Sequence, residues 1–152
     1  MSMFNNILII GKVWPEPNSS AAGIRMMQLI EYFKSKNTTI TFACTANPTQ
    51  FQVDLESIEI NVAKIELNAE SFDVFARELN PTMVIFDRFM TEEQFGWRIM
   101  KECPNAIRIL NTEDMHFLRD ARHQALKNGK MLDLTKQSDL ENKRCYREIS
   151  SI

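Results

Sequence analysis

Apolar positions along this chain follow two rhythms: short solid runs, and longer stretches in which they recur every third or fourth residue. The solid runs are "NILII" (6–10), "TITFAC" (39–44), "TMVIFD" (82–87) and "AIRILN" (106–111). Runs of this length, rich in β-branched residues, predict strands buried on both faces. "IEINVAKIEL" adds a third strand near 62–67. Between them the helical rhythm takes over. Ala22, Met26, Leu29, Ile30 and Phe33 form one apolar stripe on a helix predicted from Ser20 to Ser35. "SFDVFAREL" (71–79) predicts a helix stopped by Asn80-Pro81. "TEEQFGWRIMKEC" (91–103) predicts another, with Thr91 as N-cap and Glu92-Glu93 in the first turn, where the helix dipole favours acids. A helix from Asp114 to Leu126 ends at Gly129. A last one opens with Ser138 and Glu141 at capping-box spacing and carries Leu140, Cys145, Ile149 and Ile152 as its stripe.

Strands alternating with helices imply right-handed βαβ units. The predicted fold is therefore α/β, a Rossmann-like doubly wound parallel sheet in one domain spanning 1–152. In that pattern the first strand is central, flanked by 39–44 and 82–87. Ligands of such sheets bind at the carboxyl ends of the strands. The segments there are 11–20, 45–48, 68–70, 87–90 and 111–114, and candidate chemistry is sought in them.

Composition narrows the function. A chain of 152 residues that is 44% hydrophobic and 25% charged suits one globular core. A formal charge of −2 supplies no basic field, so no nucleic-acid partner is expected. "MSMFNN" has no basic leader character and no apolar run reaches the ~20 residues of a membrane span. Cys44, Cys103 and Cys145 are odd in number and widely spaced. They predict reduced thiols that fill core, and a cytoplasmic location.

Three segments carry candidate chemistry. In "GKVWPEPNSSAAGIR" the backbone N–H groups from Ser20 to Ile24 open a helix, Gly23 permits close approach, and Arg25 lies one turn in. The structural alternative is an ordinary N-cap at Ser20 and close packing at Gly23. The segment is neither a P-loop nor a dinucleotide fingerprint. The second strand ends in Cys44-Thr45-Ala46-Asn47, with no acid for a nicotinamide ribose. "FDRF" sets Asp87 and Arg88 at the end of the best strand, either to bind sugar hydroxyls or as a local ion pair. "LNTEDMHFLRDARH" places Glu113 and Asp114 at a strand end, either to accept from sugar hydroxyls or act as a base, or with Asp114 as a plain N-cap; His116, Arg119 and His123 share one side of the next helix. Glu113, His116, Asp120 and His123 match no standard metal-ligand spacing, so no metal site is expected.

"ILIIGKVWPEPNSSAAGIRMMQLIEYF", "PTMVIFDRFMTEEQFGWRI" and "PNAIRILNTEDMHFLRDAR" together resemble the amino-terminal domain of a GT-B glycosyltransferase. The resemblance is to the retaining group called family 4 or group 1, and it covers roughly residues 4–150. It implies the acceptor side of a sugar transfer, with a sugar acceptor and a nucleotide-sugar as partners and no cofactor. It further implies a cleft shared with a second Rossmann-like domain that holds the nucleotide, usually through an E-x7-E motif. Ser20, Gly23, Arg25, Asp87, Arg88 and Arg119 become the substrate-binding candidates. Many members carry a histidine near the end of the strand matching 106–111, where this chain has Glu113 and Asp114 with His116 one turn on; these three are the catalytic candidates. The donor domain is expected to lie outside these 152 residues, leaving the chain alone inactive. A membrane surface approached peripherally is one further expected partner. A second copy or partner chain docking on 138–152 is another. Two alternatives remain open: a non-catalytic module that pairs with a separate donor chain, and an unrelated small α/β nucleotide-binding protein.

Overall fold

The computed structural model describes residues 5–112, 116–129 and 131. The chain divides into two compact units, Met1–Glu113 and Asp114–Ile152. The first holds β1 (Asn6–Gly11), α1 (Ala21–Lys34), β2 (Thr39–Cys44), a single 3-10 turn (Glu56–Ile58), β3 (Asn61–Lys64), α2 (Glu70–Leu79), β4 (Met83–Asp87), α3 (Phe89–Glu102) and β5 (Ile107–Asn111). In the second, α4 (His116–Asn128) is described, followed by Gly129 at φ +60°. The five strands form one sheet in the order β3-β2-β1-β4-β5. Every pairing is parallel, with Ile7 beside Ile40 on one flank and beside Met83 on the other. This is a Rossmann-like α/β fold, and β1 is central as the sequence implies.

The apolar runs are solid because the central strands are buried on both faces. On one face Ile7, Ile9, Ile40, Phe42, Met83 and Ile85 pack with Met26 and Ile30 of α1 and with Trp14. On the other, Leu8, Ile10, Val84 and Phe86 pack with Phe72 and Ala76 of α2 and with Phe95 and Ile99 of α3. Cys44 belongs to the first cluster and Cys103 to the second, so both thiols are core filler. Among the described residues no helix is long and apolar enough to cross a membrane.

Beyond shifts of a residue or two at other element ends, such as α4 closing at Asn128 rather than Leu126, three features differ from those predicted. β3 covers 61–64 rather than 62–67, because its partner β2 runs out where Cys44 pairs with Lys64. The 3-10 turn was not foreseen: its few residues are too short for any periodicity to register. α3 begins at Phe89, ahead of the predicted Thr91 cap. The N-cap position is Arg88, which makes no side-chain cap bond, and Thr91 lies inside the first turn with its hydroxyl turned back to donate to carbonyls. The segment 138–152, with its predicted stripe, lies outside the described residues.

Candidate functional site

β1 is followed by a helix that returns to β2 on one side, and β4 pairs with its other flank. The chain therefore reverses its winding direction between β1 and β4. In open α/β sheets that switch point, at the carboxyl ends of the strands, is where a crevice forms. Here its walls include Val13, Trp14, Pro15, Ser20, Gly23, Asp87 and Arg88. The cavity volume is about 20 Å³. A space of that size admits roughly one water-sized group, so a single oxygen fits while a whole ring does not.

The β1–α1 side of the crevice is built by a tight backbone turn. Glu16 O accepts from Ser19 N at 3.1 Å and Ser20 N at 3.0 Å. Ser20 caps α1 by accepting from Gly23 N at 3.0 Å, so that N–H is already engaged. Gly23 is required by close approach: a Cβ there would lie 2.5 Å from the Glu16 carbonyl carbon and oxygen. The glycine thus lets the turn lie against the helix rather than letting the helix approach the sheet. Trp14 is 4% exposed and anchors the loop from within, its ring 5.7 Å from Phe42 and its indole N–H donating to Ala46 O at 2.8 Å. Lys64 reinforces the end of β2. Its ammonium donates to Thr45 O at 2.6 Å, Ala46 O at 2.8 Å and Asn47 Oδ1 at 3.1 Å. The place where a dinucleotide-binding sheet would present a ribose-binding acid is thereby closed by a lysine staple.

The β4–α3 side holds the most unusual backbone in the described chain. Asn37, Asn68 and Asn80 have positive φ, a conformation that asparagine tolerates. Arg88 has φ 74° and ψ 155°. That region is essentially restricted to glycine, and a side chain held there costs about 1–3 kcal/mol. The surroundings over-determine it: the single hydroxyl proton of Thr91, a residue 2% exposed, is shared between Asp87 O at 2.9 Å and Arg88 O at 3.0 Å, while Arg88 N donates to Asn111 O at 2.9 Å. The result sets Asp87 and Arg88 side by side at the crevice. Arg88 Nε lies 3.9 Å from Asp87 Oδ2, with side-chain exposures of 35% and 8%. At that distance the charges attract but form no hydrogen bond.

The structure brings Ser20, Gly23, Asp87 and Arg88 together on one crevice. Arg25 belongs to α1 but is exposed, and it is not on the crevice wall. Glu113 and Asp114 lie outside the described residues, as do the side chains of His116 and Arg119. Among the described residues no three His, Cys, Asp or Glu side chains are placed to hold a metal ion. Sequence reasoning missed Trp14 and Lys64, and gave Thr91 only the role of a helix cap. Of these, Trp14 carried a signal, as a large aromatic placed directly before the Pro15-Glu16-Pro17 loop.

A second hollow, of about 380 Å³, opens at the amino ends of β4 and β5, lined by Asn80, Pro81, Thr82, Cys103, Pro104 and neighbouring residues. It is larger, but among the described residues no lysine, arginine, aspartate or glutamate lines it, and the Cys103 thiol there already donates to Ala76 O at 3.2 Å. Size alone favours this hollow; convergent polar groups and position at the switch point favour the crevice, and those are what select a ligand. Comparison with known proteins returns no matching family model, no similar curated protein and no similar solved structure.

Proposed function

We propose that this chain is the acceptor-side domain of a sugar-transferring enzyme of GT-B type, with the switch-point crevice receiving part of the acceptor. The observation that carries the reading is the meeting of the β1–α1 turn with the Asp87-Arg88 pair at the carboxyl ends of the two central strands. Resemblance of the three quoted segments to the amino-terminal domain of family 4 glycosyltransferases supplies the reaction class. Ser20, Gly23, Asp87 and Arg88 are the binding residues on this reading, and Glu113, Asp114 and His116 the catalytic candidates. Arg25, exposed and off the crevice wall, and Arg119 are on this reading contacts for parts of the substrate beyond the crevice.

Nucleotide binding by this chain alone is the competing reading, and magnitudes weigh against it. A helix N-terminus contributes about 0.3–1 kcal/mol toward an anion, and at most ~2 when partly buried. A charge-assisted hydrogen bond adds about 1.5–3 kcal/mol. Together they fall short of the ~8 kcal/mol of micromolar affinity. The engaged Gly23 N–H and the Lys64 staple reduce the available donors further. Calorimetric titration of the purified chain with a set of uridine, guanosine and adenosine diphosphate sugars tests this, alongside an assay for transfer. The expected outcome is no saturable binding below millimolar concentration and no turnover. Micromolar binding of any nucleotide by the chain alone would replace this reading with the small nucleotide-binding protein.

A further inference from the structure

The conformation of Arg88 has no structural need of an arginine. The φ 74°, ψ 155° geometry is satisfied without strain by glycine, and the shared Thr91 hydroxyl bond engages backbone carbonyls that any residue would present. What the arginine adds is a guanidinium at the crevice wall. Its Nε is shielded from solvent and makes no hydrogen bond among the described residues, and its contact with Asp87 is long at 3.9 Å. A donor held in a shielded place at the cost of backbone strain marks a binding contact rather than a packing one.

The charges indicate what it contacts. Asp87, 5% exposed, and Arg88 both line the crevice, and their formal charges cancel. An anion approaching the guanidinium meets the carboxylate beside it, and a cation meets the reverse. A neutral hydroxyl meets neither objection, because its oxygen accepts from the guanidinium while its proton is donated to the carboxylate. The cavity volume of about 20 Å³ holds one such group.

We propose that Arg88 is the specificity-determining contact of the crevice: it reads one hydroxyl of an uncharged polyhydroxy ligand together with Asp87, and Thr91 is the positioning residue that holds it there. The choice of ligand rests on the sugar-transfer reading, whereas the strained clamp does not.

Four variants of the full chain test this, with thermal melting and ligand-observed NMR as readouts. Methyl glycosides of glucose, mannose and galactose are the neutral probes, and inorganic pyrophosphate is the anionic one. In an unstrained position glycine melts below alanine. Here Arg88→Gly is expected to melt above Arg88→Ala by roughly 5 °C or more, because only glycine relieves the turn. Both are expected to weaken glycoside binding at least tenfold relative to the native chain, with no response to pyrophosphate in either. Thr91→Val is expected to melt lower and lose glycoside binding, and Thr91→Ser to retain both. Arg88→Gly melting at or below Arg88→Ala overturns the clamp. A clamp signature without glycoside binding by the native chain, or with pyrophosphate binding instead, overturns the ligand assignment and the sugar-transfer reading with it. Glycoside binding that survives both Arg88 variants overturns the role of Arg88 while leaving that reading intact.

Discussion

At Gly23, on the crevice wall, the absence of a side chain is what lets the β1–α1 turn close against α1. A methyl carbon there would lie 2.5 Å from the Glu16 carbonyl, which is backbone and has nowhere to move without opening the turn. Gly23→Ala is expected to cost about 1–3 kcal/mol, the usual penalty for overpacking, read as a lower urea midpoint with an unchanged slope. Ser20→Ala removes only the cap on Gly23 N and is expected to cost about 1 kcal/mol. Both residue types announced a helix start in the sequence, and both sit where that start was predicted. Arg88 stands out in the sequence by its place at a strand end, but its backbone conformation does not. A glycine at that position would have signalled a positive φ, but an arginine signals an ordinary loop, so the strain was invisible without coordinates.

The helices on the second face of the sheet are joined by charge. Arg98 of α3 donates to Asp73 of α2 at 2.7 Å and to Ala69 O at 3.3 Å, with the two charged side chains only 10% and 14% exposed. Asp73→Ala strands the guanidinium and is expected to cost about 3–5 kcal/mol in urea unfolding. Replacing both partners with apolar residues is expected to cost much less, because no uncompensated charge remains. A more open pair joins Arg77 Nε and Nη2 to Glu102 Oε2 at 3.0 and 2.7 Å, with Lys101 at 3.0 Å from the other oxygen. The Arg77 bonds, then the Lys101 bond, hold the Glu102 carboxyl below its ordinary value of 4.5. A lowered folded value means that the unfolded chain takes up the proton first as pH falls. This contribution to stability is therefore complete above the ordinary value and is lost below it, as pH passes through the folded value. Glu102→Gln is expected to flatten that acid limb in melts taken across it and to leave the neutral-pH slope unchanged. These elements also mark how far the pattern could be read. The strands were legible because runs such as "TITFAC" are apolar on both faces, and their observed limits differ by a residue or so. β3 was misplaced because Ile65 and Leu67 continue the apolar pattern after the β2 partner has ended. Likewise α3 was started late: Thr91 has the residue type of an N-cap, whereas its hydroxyl serves the strained turn one step earlier.

Across the first unit, one sheet with two packed faces puts Cys44 in one core and Cys103 in the other. Burial pushes both thiols above their ordinary values, which leaves little thiolate at neutral pH. Alkylation followed residue by residue by mass spectrometry is expected to be slow at both in the native chain. Both are expected to react together once urea exceeds the midpoint, as one cooperative unit requires. Among the described residues the same sheet carries hollows at opposite ends of its strands, and the smaller, at the switch point, is the proposed place where this protein meets its ligand. Backbone amide chemical-shift mapping of the native chain, titrated with the methyl glycosides, tests that most directly. Saturable shifts concentrated at residues 12–14, 20–24 and 87–91 are the expected result. Shifts concentrated instead at 80–82 and 103–107, around the larger hollow, would contradict it.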